Sequence, residues 1–197
     1  MQAIHTETIE RNGTTYRINI YPDPDSGNPI EEWDYMGKIM GLNRSTIEYD
    51  PSGVEDALEN NPDAVPLSCY EHGGVAWSVR GESHPLHRCP FDSVDVAGVW
   101  IPDDDTLDEA KKLGGRTRRL FMLKRARSVV ETYNQWVNGE VYGYTVDIVT
   151  ECDDCDCPNC PGEHTEQLDS CWGFFGFDFC LESARESLPE ETAASVA

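Results

Sequence analysis

Residues 140–176, EVYGYTVDIVTECDDCDCPNCPGEHTEQLDSCWGFFG, decide the fold class. In the first part Tyr142, Tyr144, Val146 and Ile148 fall on alternate positions, the period of a strand with one buried face. EQLDSCWGFFG places Leu168, Ser170 and Trp172 on a common face and reads as the return strand. The cysteine tract between them, Thr150 to Thr165, is then the loop between two antiparallel strands. A loop that long in a compact domain carries either a function or a staple.

Outward from this hairpin, the upstream chain offers further strands. In TTYRINIYPD, Tyr16, Ile18 and Ile20 alternate with Thr15, Arg17 and Asn19 until Pro22 and Pro24 end the run. VPLSCYEH and VAWSV flank Gly73 and Gly74 as a second hairpin, and VDVAGVWIP is a third candidate strand. SGVEDALEN predicts a short helix with a serine cap. DDDTLDEAKKLGG predicts another, capped by Asp105 or Thr106 and stopped at Gly114. The longest helix is expected over 117–137, with Leu120, Leu123, Ala126, Val129, Val130, Tyr133, Trp136 and Val137 as its core stripe. FDFCLESARES reads as a closing helix. Strands and helices mix without a strict βαβ rhythm, so the expected class is α+β: an antiparallel sheet with helices packed on one side. The expected organisation is a single domain over 1–188, with 150–165 as a cysteine-rich loop insertion and 189–197 as a disordered acidic tail.

The tract supplies four thiols, Cys152, Cys155, Cys157 and Cys160, as two CxxC pairs. Zinc takes four tetrahedral S or N ligands, and binding them substitutes for a core in so small a segment. We therefore expect one structural Zn²⁺ on these four cysteines, with His164 as a possible substitute and Cys171 as a spare donor. Only Asp156 separates the two pairs, closer than in ordinary zinc ribbons. Disulfides within each CxxC would close tiny loops of little value. The acidic neighbours raise thiol pKa values, against redox catalysis. A second grouping, His84, His87 and Cys89 with Cys69 and His72 nearby, could ligate metal, and His72, His84, His87 and Asp92 would make a metal-dependent hydrolase if they converged on an open coordination position. No phosphate-binding glycine loop, GxSxG or HExxH is present. The aromatic run CWGFFGFDF reads first as a buried corner between strand and helix, and second as a platform for a partner.

Charge is the largest compositional anomaly. The 197 residues carry 37 acids against 15 Lys and Arg, a net −22. Eight of the fifteen cations lie between Lys111 and Arg127, a stretch without an acid, so the rest of the chain carries −30. Such a field repels nucleic acid and anionic lipid and attracts basic protein surfaces. The basic run includes Arg116, Arg118, Arg119, Lys124, Arg125 and Arg127, the residues that would bind nucleic acid directly in an alternative reading. Cations in the first turns of a helix oppose its macrodipole, so an intramolecular acid or a partner's anion must offset them. No stretch of about 18 apolar residues spans a membrane. The N-terminus lacks the basic and apolar pattern of a signal peptide, and a cytoplasmic location is expected.

EVYGYTVD followed by LDSCWGFFGFDFCLESARE resembles a family of small proteins carried by phages and other mobile elements that share a GEVYGY…DSCWGFYG ending. NPIEEWDYMGKIMGLNR, PLSCYEHGGVAWS and CPFDSVDVAGVWI are similar to its earlier segments, so the likeness covers about three quarters of the chain. Met36, Val94, Asp95 and the cysteine tract depart from the family pattern. The resemblance implies life inside a bacterial host cell and transfers no catalytic residue. Together with the charge, it predicts a binding protein and not an enzyme: an acidic accessory factor that occupies the basic, nucleic-acid-binding surface of a host protein, as anti-restriction or anti-CRISPR DNA mimics do.

Overall fold

The computed structural model describes residues 1–42, 48–82, 92–152 and 162–191. It is α+β, and the chain divides into two compact units where one domain was expected: Met1–Ser26 with Gly139–Ala197, and Gly27–Asn138.

The first unit is built on four antiparallel strands in the order β1 (His5–Arg11), β2 (Thr14–Pro22), β8 (Val141–Glu151) and β9 (Glu163–Phe175). Its neighbours in space are also neighbours in sequence, apart from the segment between β2 and β8. The unit is thus an up-and-down meander interrupted by the whole central unit. β1 has few apolar residues, and its better sequence signal is the Asn12–Gly13 turn, where both residues have positive φ (54° and 75°), the geometry of a two-residue hairpin turn. Tyr16, Ile18, Ile20, Tyr144 and Val146 bury one face under the closing helix α5 (Phe177–Glu186), which contributes Cys180 and Ala184, with Leu188 just beyond it. Two residues of the expected tail are tied down. Arg11 donates to the carbonyl of Pro189 (2.9 Å) and Asn12 to that of Glu190 (2.9 Å); residues 192–197 lie outside the described residues.

The central unit holds a five-stranded sheet in the order β4 (Glu48–Tyr49), β3 (Lys38–Gly41), β7 (Ser93–Ile101), β5 (Val65–Glu71) and β6 (Val75–Val79). All pairs are antiparallel except β3 with β4. The helices here are not confined to one side. Ile39 and Trp100 belong to the cluster under α4 (Gly115–Val137) and α3 (Asp104–Ala110), while Met40 and Val99, one residue along, belong to the cluster with Val54 and Ala57 of α2 (Pro51–Asn60). Side chains alternate across a strand, so both faces are covered, which matches the unbroken apolar run AGVWI in β7. A short helix, α1 (Pro29–Glu32), and a 3₁₀ turn at Asp34–Met36 precede β3.

Both expected caps are displaced. Asp50, not a serine, accepts from Gly53 N at the start of α2 (2.9 Å), and Asp103 accepts from Thr106 N at the start of α3 (2.8 Å). α4 buries Met122, Ala126, Val129, Val130 and Tyr133, whereas Leu120, expected on the core stripe, is 54% exposed. Near its C-terminus, Asn134 accepts from Trp77 N (2.8 Å) and donates to Trp77 O (2.8 Å). Asn138 repeats the pattern on Val75 (3.1 and 2.7 Å). Two amides one helical turn apart thereby stand in for a neighbouring strand along the outer edge of β6. Among the described residues no helix is long and apolar enough to cross a membrane.

Candidate functional site

The cysteine tract is only partly within view. Cys155, Cys157 and Cys160 lie outside the described residues. At its base the β8–β9 ladder runs to Glu151 opposite Glu163, and Cys152 N donates to Gly162 O (3.1 Å). His164 stands in the ladder opposite Thr150, next to the tract, with an exposed side chain. Cys171, the expected spare donor, lies well along β9 from the base of the tract. It pairs with Tyr144, eight residues down β9 from Glu163, which at about 3.4 Å per residue is roughly 27 Å away. Among the described residues no three of His, Cys, Asp or Glu gather as a metal site. Burial pushes the thiols of Cys69 and Cys180 up to about 12, so both are inert core groups.

Of the candidate hydrolase residues, His72 and Asp92 do meet (Nδ1 to Oδ1, 3.6 Å), but the His72 side chain is 73% exposed; His84, His87 and Cys89 lie outside the described residues.

The basic run is partly neutralised from within. Arg118 forms a two-pronged pair with Asp63, Nε to Oδ1 at 2.8 Å and Nη2 to Oδ2 at 2.5 Å. That carboxylate is an intramolecular anion that offsets a cation in the first turns of α4, whose N-terminus has no side-chain cap. Arg118 and, more weakly, Arg119 hold the Asp63 carboxyl below its usual range. Arg127 forks onto Glu82, Nε to Oε2 at 2.9 Å and Nη2 to Oε1 at 2.5 Å, and Arg125 reaches Thr106 Oγ1 at 3.4 Å. Arg116, Arg119 and Lys124 are exposed, with no ion pair among the described residues.

The acids are distributed unevenly between the units. The meander unit carries 18 acids against 3 arginines, a net −15, and the central unit 19 against 12, a net −7. All three meander arginines are engaged within their own unit. Arg17 forks onto Glu163 (2.7 and 2.7 Å), Arg185 onto Glu7 (2.9 and 2.5 Å), and Arg11 donates to main-chain carbonyls. On α5, Asp178, Glu182 and Glu186 follow one another at four-residue steps along the exposed side, about 6 Å apart at 1.5 Å rise per residue. Like charges at that spacing destabilise a helix.

Among the described residues of its own unit, the meander sheet has one face covered by a helix and one that no element covers. α5 covers the first. On the second, Thr6 and Thr8 of β1, Asn19 and Tyr21 of β2, and Thr145 and Gly143 of β8 point away from the core. Asn19 links this face, donating to Thr145 Oγ1 (3.4 Å) and Asp147 Oδ2 (3.1 Å). At one end Trp172 stacks against Tyr21, ring centres 6.0 Å apart and 29° between planes, and remains 45% exposed. The CWGFFGFDF run is therefore divided. Phe174 and Phe177 pack on the core, while Trp172 and Phe179 stand in solvent. The signal that separates them was present in sequence as Gly143 and Gly173, whose role emerges only when the two strands are paired. No protein-family model, curated protein or solved structure matches the chain.

Proposed function

We propose that this is an acidic binding protein that occupies the basic, nucleic-acid-binding surface of a host protein, an anti-restriction or anti-CRISPR type of DNA mimic from a phage or mobile element. The observation that carries this reading is the −15 of the meander unit, whose three arginines are all bound within their own unit. Uncompensated like charge weakens a fold, and its concentration in one unit favours a partner of opposite sign that supplies the missing cations. Such association is fast and weakens steeply with salt.

The test is capture on the immobilised protein from nuclease-treated bacterial lysate, at about 50 mM and about 500 mM salt, a range over which screening tightens several-fold. Recovery of nucleic-acid-binding proteins that salt or added duplex DNA releases is the expected result. Recovery of none, or only of salt-resistant partners, removes the reading. Arg116, Arg119 and Lys124 support a second reading, direct nucleic-acid binding along α4, because they are exposed and form no ion pair among the described residues. A gel shift with mixed DNA and RNA at low salt separates the two, since a mimic shifts neither.

Structural Zn²⁺ on Cys152, Cys155, Cys157 and Cys160 belongs to the same proposal, supported by the CxxC spacing and by the paired backbone of Cys152 and Gly162 that joins the ends of the tract. Metal analysis of protein purified without added zinc should give one ion per chain, lost in a quadruple Cys→Ser variant. Metal-free protein with freely titrating thiols overturns it.

A further inference from the structure

We infer that the open face of the meander sheet, centred on Trp172, is the docking surface, and that it takes arginine side chains of the basic partner by stacking their guanidinium groups on the indole. This rests on the reading that the partner is basic and adds which surface and which cation.

The geometry begins at a bulge. Tyr142 pairs with Phe174 and Tyr144 with Cys171, so Trp172 and Gly173 on β9 face Gly143 alone on β8. Gly173 has φ +83°, which a side chain would oppose, and its N–H donates to Asp23 Oδ2 (3.1 Å). This bulge lays Trp172 across Gly143 so closely that a Cβ there would stand 2.2 Å from the ring. Glycine inside paired strands weakens a sheet and marks close approach, and bulges re-aim side chains next to working sites. Here two such glycines place one indole flat on the sheet, against Tyr21, with Ile4 exposed just before β1.

The occupant follows from charge and shape. A flat aromatic surface on a body of −15 attracts cations electrostatically and offers a π face that favours them. Arginine uses both, because its planar guanidinium stacks on the ring while its N–H groups reach a carboxylate beside the bulge such as Asp23; a lysine ammonium cannot stack. Trp and Tyr are also the residues on which binding energy concentrates at interfaces.

The experiment titrates the full chain with octa-arginine and octa-lysine peptides, matched in charge. The readouts are affinity and the indole N–H resonance of Trp172, assigned by its loss in Trp172→Leu. Octa-arginine should bind about three- to tenfold tighter than octa-lysine, the factor expected of one exposed to partly desolvated cation–π contact, and should move the Trp172 signal. Trp172→Leu should bring the ratio close to one with little change in octa-lysine affinity, and Trp172→Phe should restore part of it. Gly143→Ala, which displaces the ring without removing it, should act like Trp172→Leu and stands in if that variant folds poorly. An unchanged ratio in these variants, or a stationary Trp172 signal while other resonances shift, overturns the proposal. Failure of lysate capture with the arginine preference intact would remove the host-protein reading and leave the docking surface. Capture that persists while the preference survives Trp172→Leu would do the reverse.

Discussion

Two side-chain amides illustrate how single residues complete this fold. Asn134 and Asn138 each bind both the N–H and the C=O of one β6 residue, closing an edge that would otherwise offer unpaired backbone to other chains. Asn134→Ala leaves the Trp77 backbone groups without partners in a part-buried site. It should lower unfolding free energy by about 1–3 kcal/mol in a urea melt, and a loss below about 0.5 kcal/mol, the range of ordinary surface changes, would show the clamp to be incidental. Asp63 makes a pH-dependent contribution. Arg118 holds its carboxyl below the unfolded value, so the folded state favours the ionised form. The stabilisation is complete above an unfolded pKa of about 4 and fades as pH falls through the lowered folded value. Asp63→Asn should therefore cost stability at pH 7 and much less at pH 3, and an equal cost at both would remove the linkage. Neither contact was legible in the sequence. An Asn pair four apart signals nothing until a strand edge lies beside it, and Asp63 and Arg118 are 55 residues apart.

At the scale of elements, α4 shows both the strength and the limit of periodicity. The extent expected for it differs from Gly115–Val137 by two residues at one end. Its buried stripe was misplaced at the start, because LFML puts four apolar residues in a row and so covers every azimuth of the helix. The structure resolves the choice in favour of Met122, which is 1% exposed, against Leu120. Met122→Ala should cost about 2–5 kcal/mol as a core truncation, while Leu120→Ala should stay within about 0.5 kcal/mol. The opposite order, read from paired denaturation curves, would restore the stripe expected from the sequence. That β8 and β9 pair as a hairpin was visible, since alternation in both strands is local, although the ladder runs on to Glu151 opposite Glu163, inside the loop expected from the sequence. Its two register shifts were not, because a bulge is a relation between two strands.

For the whole molecule, the net −22 predicts self-repulsion that salt relieves. Melting temperature should rise as salt goes from about 10 mM to about 150 mM, where the screening length falls from about 30 Å to about 8 Å. A fall instead would mean that internal ion pairs outweigh the repulsion, and would weaken the case for a surface held ready for a cationic partner. What the sequence determined by itself was the inventory: the α+β class, most strands, the long helix, and the total charge, all of which depend on residues near one another or on simple counting. Tertiary structure alone decided that the chain forms two units, that one interrupts the other between β2 and β8, that helices cover both faces of the central sheet, and that the acids concentrate in the meander. The physical reason lies in chain statistics. Closing a long loop costs only a little more than closing a short one, since the entropy grows with the logarithm of length, so an insertion as large as Gly27–Asn138 leaves no local mark on the strands it separates.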